Sequence, residues 1–242
     1  MTKIIAITNQ KSGVGKTTTA VNLAKSFAGL KYKTLLIDND PQANATSHFG
    51  YDPKKIKKGI YECIMENINP QEAIRKTQIQ NLYLLPSNLE LVGAEIELIN
   101  RPEREYKMKN VMEKFKNDYD FIIIDCSPSL GLVTINGLVS ADTALIPVQC
   151  ENFEMDGMIK LLNKIKTIKE NLNRNLEVEG IFFTMFDPHL NLSAQVAEKL
   201  KSQYKNLVLE TVIERGAPDI LTMQYTNLAK EISRKNKPLS NS

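Results

Sequence analysis

Residues Asn9 to Thr19 read N-Q-K-S-G-V-G-K-T-T-T and lie between two patterns of different period. A short apolar run, Ile4 to Ile7, precedes them, and apolar residues at helical spacing follow from Ala20 to Phe27. The stretch is therefore predicted to be a turn between a β-strand and an α-helix. Such a turn gathers backbone N–H groups into one concavity, and the helix N-terminus adds partial positive charge. These features favour a phosphate-binding loop over the alternative, a glycine-bearing surface turn with two lysines.

Four residues of this turn suit phosphate and Mg²⁺. Gly13 and Gly15 let the backbone approach the phosphates without Cβ clashes, Lys16 can reach the β- and γ-phosphates, and Thr17 can offer its hydroxyl to Mg²⁺. The general pattern G-x-x-x-x-G-K-[ST] has glycine where this chain has Gln10. The loop is thus a variant of that pattern, and it predicts binding of a nucleotide with Mg²⁺.

Six further apolar runs rich in β-branched residues follow the first, and helical patterns separate most of them. The runs are Ile4 to Thr8, Thr34 to Ile37, Leu82 to Leu85, Phe121 to Ile124, Ala144 to Val148, Ile181 to Thr184 and Leu207 to Ile213, and the helical patterns include Tyr106 to Phe115, Met155 to Ile168 and Ser193 to Tyr204. Strands that are apolar on both faces and alternate with helices predict a mostly parallel, twisted sheet with helices on both faces, the α/β fold of P-loop NTPases. We expect one such domain over residues 1–235 and a polar tail over 236–242.

Two of these runs end in aspartates. The second continues as L-L-I-D-N-D-P-Q-A-N-A-T with Asp38 and Asp40, and the fourth reads F-I-I-I-D-C-S-P-S-L-G with Asp125. Parallel sheets bind ligands at the carboxyl ends of their strands, so these carboxylates are expected beside the phosphate loop, where a metal and a hydrolytic water need acceptors. Four apolar residues before Asp125 are typical of a Walker B strand, whose carboxylate holds Mg²⁺ opposite Thr17. For Asp38 and Asp40, a strand end with a simple turn is the alternative.

Taken together, these motifs resemble one family. From Lys11 the loop reads K-S-G-V-G-K-T-T-T, which resembles the deviant Walker A loop of the ParA/Soj and MinD ATPases, and the segment around Asp40 resembles the D-x-D-P-Q-x-N-[AS]-T segment of ParA-type proteins. The resemblance includes Thr134 to Glu151 and is close from Lys3 to about Thr211. It implies that Asp40 orients the attacking water, that Asp38 supports the strand end, and that Lys11 reaches the phosphates of a partner subunit.

The resemblance also implies a function and a set of ligands. The expected protein is a slow, partner-stimulated ATP hydrolase that uses ATP and Mg²⁺, forms a homodimer when ATP is bound, binds DNA non-specifically and segregates a plasmid or chromosome with a ParB-like partner. It would be cytoplasmic, associated with the nucleoid when ATP is bound, and without a membrane partner. The residues expected at the nucleotide are Lys11, Ser12, Gly13, Val14, Gly15, Lys16, Thr17, Thr18, Met185 and Arg215, those at the metal are Thr17, Asp40 and Asp125, and the catalytic ones are Lys11, Lys16 and Asp40.

The chain departs from the family pattern at several positions. Ser12 replaces a glycine where the γ-phosphates and the partner subunit meet, so that dimerisation and its rate are the properties most affected. His189 stands where the family usually has a DNA-contacting arginine, and Glu214 replaces a proline that helps frame the adenine. After Val212 the usual long basic loop is replaced by a shorter insert.

Basic residues form several clusters, although the net charge of +3 is too small to indicate a nucleic-acid partner by itself. Solvated helix faces are the default interpretation of such clusters. Non-specific DNA binding is the functional one, since it needs only phosphate contacts. The candidate residues are Lys160, Lys164, His189, Arg215, Lys230, Arg234 and Lys235.

Composition limits the setting of the protein. No apolar run approaches membrane-spanning length, and the N-terminus enters a strand at once, so we expect neither a signal peptide nor a membrane span. The three cysteines, Cys63, Cys126 and Cys150, are odd in number and widely spaced. This usage is typical of a reducing compartment and favours structural cysteines over a disulfide framework or a zinc site.

Three alternatives to a partition ATPase stay open. A MinD-like membrane-cycling regulator would use a C-terminal amphipathic helix, and Leu221, Tyr225, Leu228 and Ile232 do fall on one helical stripe, although packing on the domain is the simpler interpretation. A positioning or scaffold switch would bind ATP and hydrolyse it weakly. A metabolic enzyme of the dethiobiotin-synthetase kind is disfavoured because no substrate-binding constellation stands out beyond the nucleotide motifs.

Overall fold

The structure of the protein, a computed structural model, describes residues 2–150 and 155–236. Within these ranges the strands are β1 (Lys3–Ile7), β2 (Thr34–Asn39), β3 (Arg75–Lys76), β4 (Leu82–Leu85), β5 (Phe121–Cys126), β6 (Thr143–Gln149) and β7 (Glu177–Thr184). The α-helices are α1 (Lys16–Gly29), α2 (Asn44–His48), α3 (Ile60–Met65), α4 (Pro70–Ala73), α5 (Leu91–Glu97), α6 (Lys107–Met112), α7 (Leu132–Ser140), α8 (Met155–Asn171), α9 (Asn191–Gln203) and α10 (Pro218–Lys235). Short 3₁₀ helices cover Pro53–Lys55, Leu98–Asn100 and Lys116–Asp118. Two parts of the sequence predictions lie outside the described residues. They are positions 237–242 of the predicted tail and Glu151, the last residue of the stretch from Thr134 that resembles the family.

The strands of the described chain form one seven-stranded sheet in the order β3-β4-β2-β5-β1-β6-β7. Neighbouring strands are parallel throughout, except that β3 is antiparallel to β4. Every position of β2 and β5 is buried, because helices cover both faces of the sheet. The predicted fold class is therefore confirmed. In this register Asp125 lies opposite both Ile7 and Asp38, which brings the ends of β1, β2 and β5 together.

Two apolar layers on opposite faces of the sheet make up the core. The first layer contains strand residues such as Ile124 and the inner faces of α3 to α9. The second contains Ile5 and Ile123 together with α1 and α10. In that second layer Phe27 of α1 stacks on Phe121, with ring centroids 3.8 Å apart. Helix α1, which follows the predicted phosphate-binding loop, thus packs in the second layer, and α7, which follows the Asp125 motif, packs in the first.

Helix α10 presents its apolar stripe to the second layer. Tyr225, Leu228 and Ile232 are buried, and Leu221 is partly buried against the same cluster. The Tyr225 hydroxyl also lies 3.2 Å from the hydroxyl of Thr19 on α1. The domain itself therefore covers this stripe. Across residues 2–150 and 155–236, no helix is long and apolar enough to cross a membrane.

The predicted strand from Leu207 to Ile213 is wrong. Main-chain hydrogen bonds join both ends of this segment to β7. Between those ends, the amides of Glu210 and Thr211 donate to the carboxylate of Glu231 on α10, over 2.9 and 3.0 Å. A backbone N–H that bonds a side chain is not available to a sheet, so the segment does not continue as a strand.

The predicted helices correspond to α6, α8 and α9, with one shortened end. Helix α6 stops at Met112 instead of Phe115, because the amides of Lys114 and Phe115 bond the carbonyls three residues earlier and so form turns instead of α-helix. All three cysteines are buried. Sequence patterns did not indicate β3 or the helices α2 to α5, which are seven residues long or shorter.

Candidate functional site

The loop between β1 and α1 takes the conformation that its glycines permit. Gly13 and Gly15 have φ angles of +77° and +85°, in the left-handed region that favours glycine. A Cβ at Gly13 would meet nothing within 4 Å, so conformation and not crowding explains the glycine there. Gly15 is also the N-cap residue of α1. The loop therefore leads directly into a helix N-terminus, which is a favourable place for an anion.

Hydrogen bonds hold the loop against the ends of two neighbouring strands. The Asn9 amide donates to the carbonyl of Pro147 in β6 over 2.8 Å, and its oxygen accepts from the Lys11 amide over 3.0 Å. The Thr184 hydroxyl at the end of β7 donates to the carbonyl of Val14 over 2.8 Å. The hydrogen bonds that involve Pro147 and Thr184 join distant parts of the chain, and together the three bonds hold the loop in place.

Lys16 places its ammonium group inside the site. The residue is 7% exposed, and its Nζ donates to the carbonyl of Lys11 over 2.8 Å. Burial lowers the pKa of Lys16, while the carboxylates of Asp125 and Asp40 oppose that shift. A partly desolvated cation at a loop of this kind can neutralise the charge of a phosphate group.

Asp125 lies under the loop at the end of β5. It is fully buried, and burial, followed by the nearby Asp38, raises its pKa well above the usual value, while the Thr17 hydroxyl opposes the shift. Among the described residues, neither carboxylate oxygen of Asp125 has a hydrogen bond of standard geometry. A buried carboxylate without donors is unfavourable, and a divalent cation with its waters would satisfy it. The side chains of Asp125 and Thr17 therefore fit Mg²⁺.

The two aspartates after β2 have different environments. Asp38 is fully buried and accepts hydrogen bonds from both the amide and the hydroxyl of Thr46 at 2.7 Å. Burial raises the pKa of Asp38 to about 6, and the Thr46 hydrogen bonds oppose the shift. Asp40 instead reaches the cleft, where it accepts from the Gln42 amide over 2.9 Å. Asp38 thus fixes α2 to the strand end, and Asp40 faces the position of a ligand.

These groups surround one cleft of about 390 Å³. Of the residues predicted to bind a nucleotide, its wall contains Ser12, Gly13, Gly15, Lys16, Thr17, Thr18 and Met185, together with Asp40. Val14 is buried behind the wall. Met185 has a φ of +50°, which is uncommon for a residue with a side chain and frequent at functional sites.

The structure does not bring every predicted residue to the cleft. Arg215 is exposed and absent from its wall, and its amide donates to the carbonyl of Phe186. His189 is exposed in the loop after β7, with its amide bonded to Asp187. Sequence reasoning missed three wall residues, Gln42, Asn44 and Pro128. All three stand inside the motifs quoted above, so their position beside predicted site residues was the available signal.

The candidate DNA-binding residues lie on opposite faces of the sheet. Lys160 and Lys164 are on α8, which packs in the first apolar layer. The other group is on α10, which packs in the second layer, and consists of Lys230, Arg234 and Lys235. The structure therefore does not combine these residues into one basic surface on a single chain.

Comparison with known proteins places the chain in a family of ATPases. Residues 2–178 match the sequence profile of a family described as an AAA domain. The chain is 42% identical to the sporulation initiation inhibitor protein Soj of Bacillus subtilis, over 96% of this chain and 99% of that protein. It is 40% identical to the chromosome partitioning protein ParA of Myxococcus xanthus, over 98% of this chain and 90% of that protein.

A solved structure has the same fold with its ligands in place. It is the crystal structure of cobyrinic acid a,c-diamide synthase from Mycobacterium smegmatis with bound ATP analogue and magnesium. The two chains superpose with a TM-score of 0.91 at 34% identity, over 97% of this chain and 95% of that one. The loop, the sheet and the helices described above are thus similar to those of a protein that holds an ATP analogue and magnesium.

Proposed function

Because the chain belongs to the Soj/ParA family of chromosome-partitioning ATPases, we propose that it hydrolyses ATP slowly and thereby drives the segregation of a plasmid or chromosome. In this proposal the ATP-bound protein is a homodimer that binds DNA non-specifically, and a ParB-like partner stimulates hydrolysis. The protein works in the cytoplasm and joins the nucleoid when ATP is bound. One observation carries the proposal: a single cleft joins Lys16 and Thr17 to Asp40, and all three interact with the buried carboxylate of Asp125, which has no hydrogen bond of standard geometry among the described residues.

Each cleft residue has a proposed task. Loop amides and Lys16 bind the phosphates, and Met185 lies beside the loop where it would contact the nucleotide. Thr17, Asp40 and Asp125 would hold Mg²⁺, which neutralises charge on the phosphates when it is bound. Asp40 orients the attacking water, since its carboxylate is held at the cleft wall by the Gln42 amide. Arg215, remote from the wall, would need to move to reach the nucleotide.

Lys11 carries the dimerisation part of the proposal. Its amide is bonded to Asn9 and its carbonyl to Lys16, so its backbone is fixed next to Ser12, although Lys11 is not itself a residue of the cleft wall. From that position its side chain would reach the phosphates in a partner subunit. Ser12 is exposed in the cleft wall next to it, where a second subunit would approach. We therefore propose that Ser12 affects the rate of dimerisation more than nucleotide binding.

Gel filtration with ATP and Mg²⁺ tests this proposal on the Asp40→Ala protein. Loss of the water-orienting carboxylate should trap an ATP-bound dimer, and Lys11→Ala added to Asp40→Ala should restore the monomer. Asp156→Ala, which removes an exposed carboxylate on α8, is the matched control and should behave as the unchanged protein. A monomer in the Asp40→Ala protein, at ATP concentrations that saturate the site, would contradict ATP-driven dimerisation.

ATP turnover separates a partition ATPase from a scaffold switch. Hydrolysis that disappears in Asp40→Ala and persists in Asp156→Ala would rule out a protein that only binds ATP. Retention of duplex DNA at low salt with ATP and Mg²⁺ is also required, and its failure would remove the partition function while leaving the ATPase. A biosynthetic role like that in the name of the M. smegmatis protein is disfavoured, because identity to that protein is 34% against 42% to Soj.

A further inference from the structure

A cavity of about 320 Å³ lies between α3 and the segment that contains α6. Its volume is close to the 390 Å³ of the nucleotide cleft and falls in the usual range of small-molecule sites. The two cavities share no wall residue. The polar residues of the wall are Asn67, Arg101, Lys107 and Asn110. We call this space the α3–α6 cavity.

Apolar side chains form the rest of the wall. Ile64 and Val111 are buried and belong to the first apolar layer, and Met65 is partly buried against that layer. Cys63 is also buried, and burial raises the pKa of its thiol to about 12. The thiol is therefore uncharged at neutral pH. This side of the cavity suits the organic part of a ligand.

Arg101 and Lys107 bring two positive charges to the α3–α6 cavity. Arg101 is exposed in the segment before α6, and Lys107 is the first residue of α6 and is half-buried. Across residues 2–150 and 155–236, neither side chain forms an ion pair. Two like charges on one wall repel each other, and an anion between them would replace that repulsion with attraction.

The two asparagines add donors to the same wall. The Asn67 side-chain oxygen accepts a hydrogen bond from Lys114 over 2.9 Å, which leaves the Asn67 side-chain nitrogen for a ligand. Asn67 has a φ of +55°, in the left-handed region, which asparagine tolerates better than most residues. In the part of the chain that the structure describes, the Asn110 side chain has no hydrogen-bond partner. Every polar side chain of the wall can thus donate to an anion.

Among the described residues, the wall contains no carboxylate. Glu62 is buried and accepts hydrogen bonds from the Gly59 amide over 2.7 Å and from the Asn88 side chain over 2.8 Å. Glu105 is paired with Arg104 over 2.8 Å. The other carboxylates close to wall residues in sequence are exposed to solvent, and they belong to Glu66, Glu103 and Glu113. The wall itself therefore carries a net positive charge.

We propose that the α3–α6 cavity binds a small organic phosphate. A phosphate monoester carries up to about two negative charges at neutral pH, which matches the two cations. Arg101 can bind two phosphate oxygens at once, and Lys107 adds a second charge. The apolar wall covers the organic part of the ligand. Phosphates of duplex DNA lie along a convex surface, so a small molecule fits this cavity better. The site is independent of the proposed function, since it shares no residue with the nucleotide cleft.

Isothermal titration calorimetry of the full chain with phenyl phosphate tests this site. Binding should have a Kd below about 1 mM, a modest affinity for a ligand of this size. Arg101→Gln with Lys107→Gln should weaken it at least about tenfold. Lys201→Gln with Lys205→Gln, which removes two exposed lysines in and after α9, is the matched control and should bind within about twofold of the unchanged protein. Absence of binding at millimolar phenyl phosphate would overturn the proposal.

Asn67→Asp is a second test that does not depend on the cations. Aspartate keeps an oxygen for Lys114 but replaces the donating nitrogen with a second oxygen, so affinity should fall at least about tenfold. Unchanged midpoints of urea unfolding would show that the variants are folded. Binding that Asn67→Asp and Arg101→Gln with Lys107→Gln both leave unchanged would overturn the site. Binding that only Lys16→Ala removes would place the phosphate in the nucleotide cleft and would also overturn it.

Three further titrations test the class of ligand. Benzoate has the same ring with a single negative charge and should bind at least about tenfold more weakly than phenyl phosphate. Inorganic phosphate lacks the ring and should also bind more weakly, because it leaves the apolar wall uncovered. Equal affinity for benzoate would replace phosphate with a carboxylate, and equal affinity for inorganic phosphate would remove the organic part. Duplex DNA that displaces phenyl phosphate would overturn a small-molecule site.

Discussion

Asp125 shows how a residue can be unfavourable for folding and still belong in a functional site. Its carboxylate is buried under the phosphate loop, and within the described chain it lacks donors of standard geometry. The raised pKa of Asp125 means that ionising this carboxyl group costs more free energy in the folded protein than in water. Active sites commonly retain such groups, because the ligand and not the protein completes them.

The first prediction concerns Asp125→Asn and pH. Between the unfolded pKa of about 3.9 and the raised folded pKa, the folded protein binds more protons than the unfolded chain, so this group lowers stability as pH rises. Asparagine does not titrate. Without Mg²⁺ at pH 7, Asp125→Asn should therefore exceed the unchanged protein in free energy of unfolding, by about 1–3 kcal/mol. The advantage should shrink as pH falls to about 4, as measured by urea unfolding across this range.

Two comparisons control this experiment. Asp156→Asn changes an exposed carboxylate and should leave the free energy of unfolding within about 0.5 kcal/mol of the unchanged protein. Adding ATP with Mg²⁺ should stabilise the unchanged protein and have a smaller effect on Asp125→Asn. If Asp125→Asn is less stable than the unchanged protein at pH 7 without Mg²⁺, the carboxylate is not an unfavourable buried charge.

The second prediction concerns Thr46→Val. The Thr46 hydroxyl donates to Asp38 over 2.7 Å and accepts from the amide of Ser87 over 2.9 Å. Valine has a similar shape but leaves the Ser87 amide without this acceptor and Asp38 with one donor fewer. The free energy of unfolding should fall by about 1–3 kcal/mol in chemical denaturation. Thr222→Val, whose hydroxyl bonds a carbonyl on the exposed side of α10, is the matched control and should cost less than half as much.

At the scale of residues, the sequence predicted the side chains that line the cleft better than the side chains that hold the phosphate-binding loop in place. Lys16 and Asp40 stand in motifs, and both reach the cleft wall. Asn9 and Thr184 fix the loop through main-chain carbonyls 138 and 170 residues away in sequence. Such contacts depend on strand order, which local spacing does not contain. Their positions could be derived only after the sheet was known.

At the scale of elements, long apolar runs predicted their strands correctly where neighbours cover both faces. The run from Leu207 to Ile213 has the same composition but lies beyond β7 at the edge of the sheet. There the carboxylate of Glu231 takes the amides of Glu210 and Thr211, and also accepts from the Thr211 hydroxyl. The competing acceptor comes from a helix 20 residues later, so periodicity alone predicts a strand.

The third prediction tests that competition. Glu231→Ala removes the acceptor of three donors, so the segment should open locally. Hydrogen exchange at the amides of Glu210 and Thr211 should accelerate about tenfold or more, and the free energy of unfolding should fall by about 1–3 kcal/mol. Glu198→Ala, at an exposed position on α9, should change neither. Unchanged exchange in Glu231→Ala would mean that β7 and not Glu231 protects these amides.

At the scale of the whole molecule, the sheet separates the basic residues of α8 from those of α10, although the two clusters look equivalent in the sequence. Spacing along α8 and α10 shows that each helix has a basic side, but it does not show which face of the sheet each helix covers. The two helices belong to different apolar layers. On α8, Lys166 lies 3.8 Å from Glu170, and Lys169 is paired with Glu177, so acidic partners reduce the positive charge toward the C-terminal end of this helix.

The last prediction follows from this difference. The end of α10 has three exposed cations within two helical turns, Lys230, Arg234 and Lys235, and we expect it to contribute more to DNA binding than α8. Reversing all three to glutamate should weaken retention of duplex DNA by the Asp40→Ala protein with ATP and Mg²⁺. Because each phosphate contact contributes about 0.9 to the slope of log affinity against log salt, that slope should fall by up to about three for each subunit of the dimer.

Lys160→Glu with Lys164→Glu is the matched comparison for this experiment. It should change the slope by less than the α10 variant, since it removes two cations instead of three and acidic residues already pair with Lys166 and Lys169 of the same helix. Gel filtration with ATP should show that both variants still dimerise, which separates loss of DNA contacts from loss of the ATP-bound state. A larger effect of the α8 variant would contradict this prediction and would place the DNA on the face of the sheet that α8 covers.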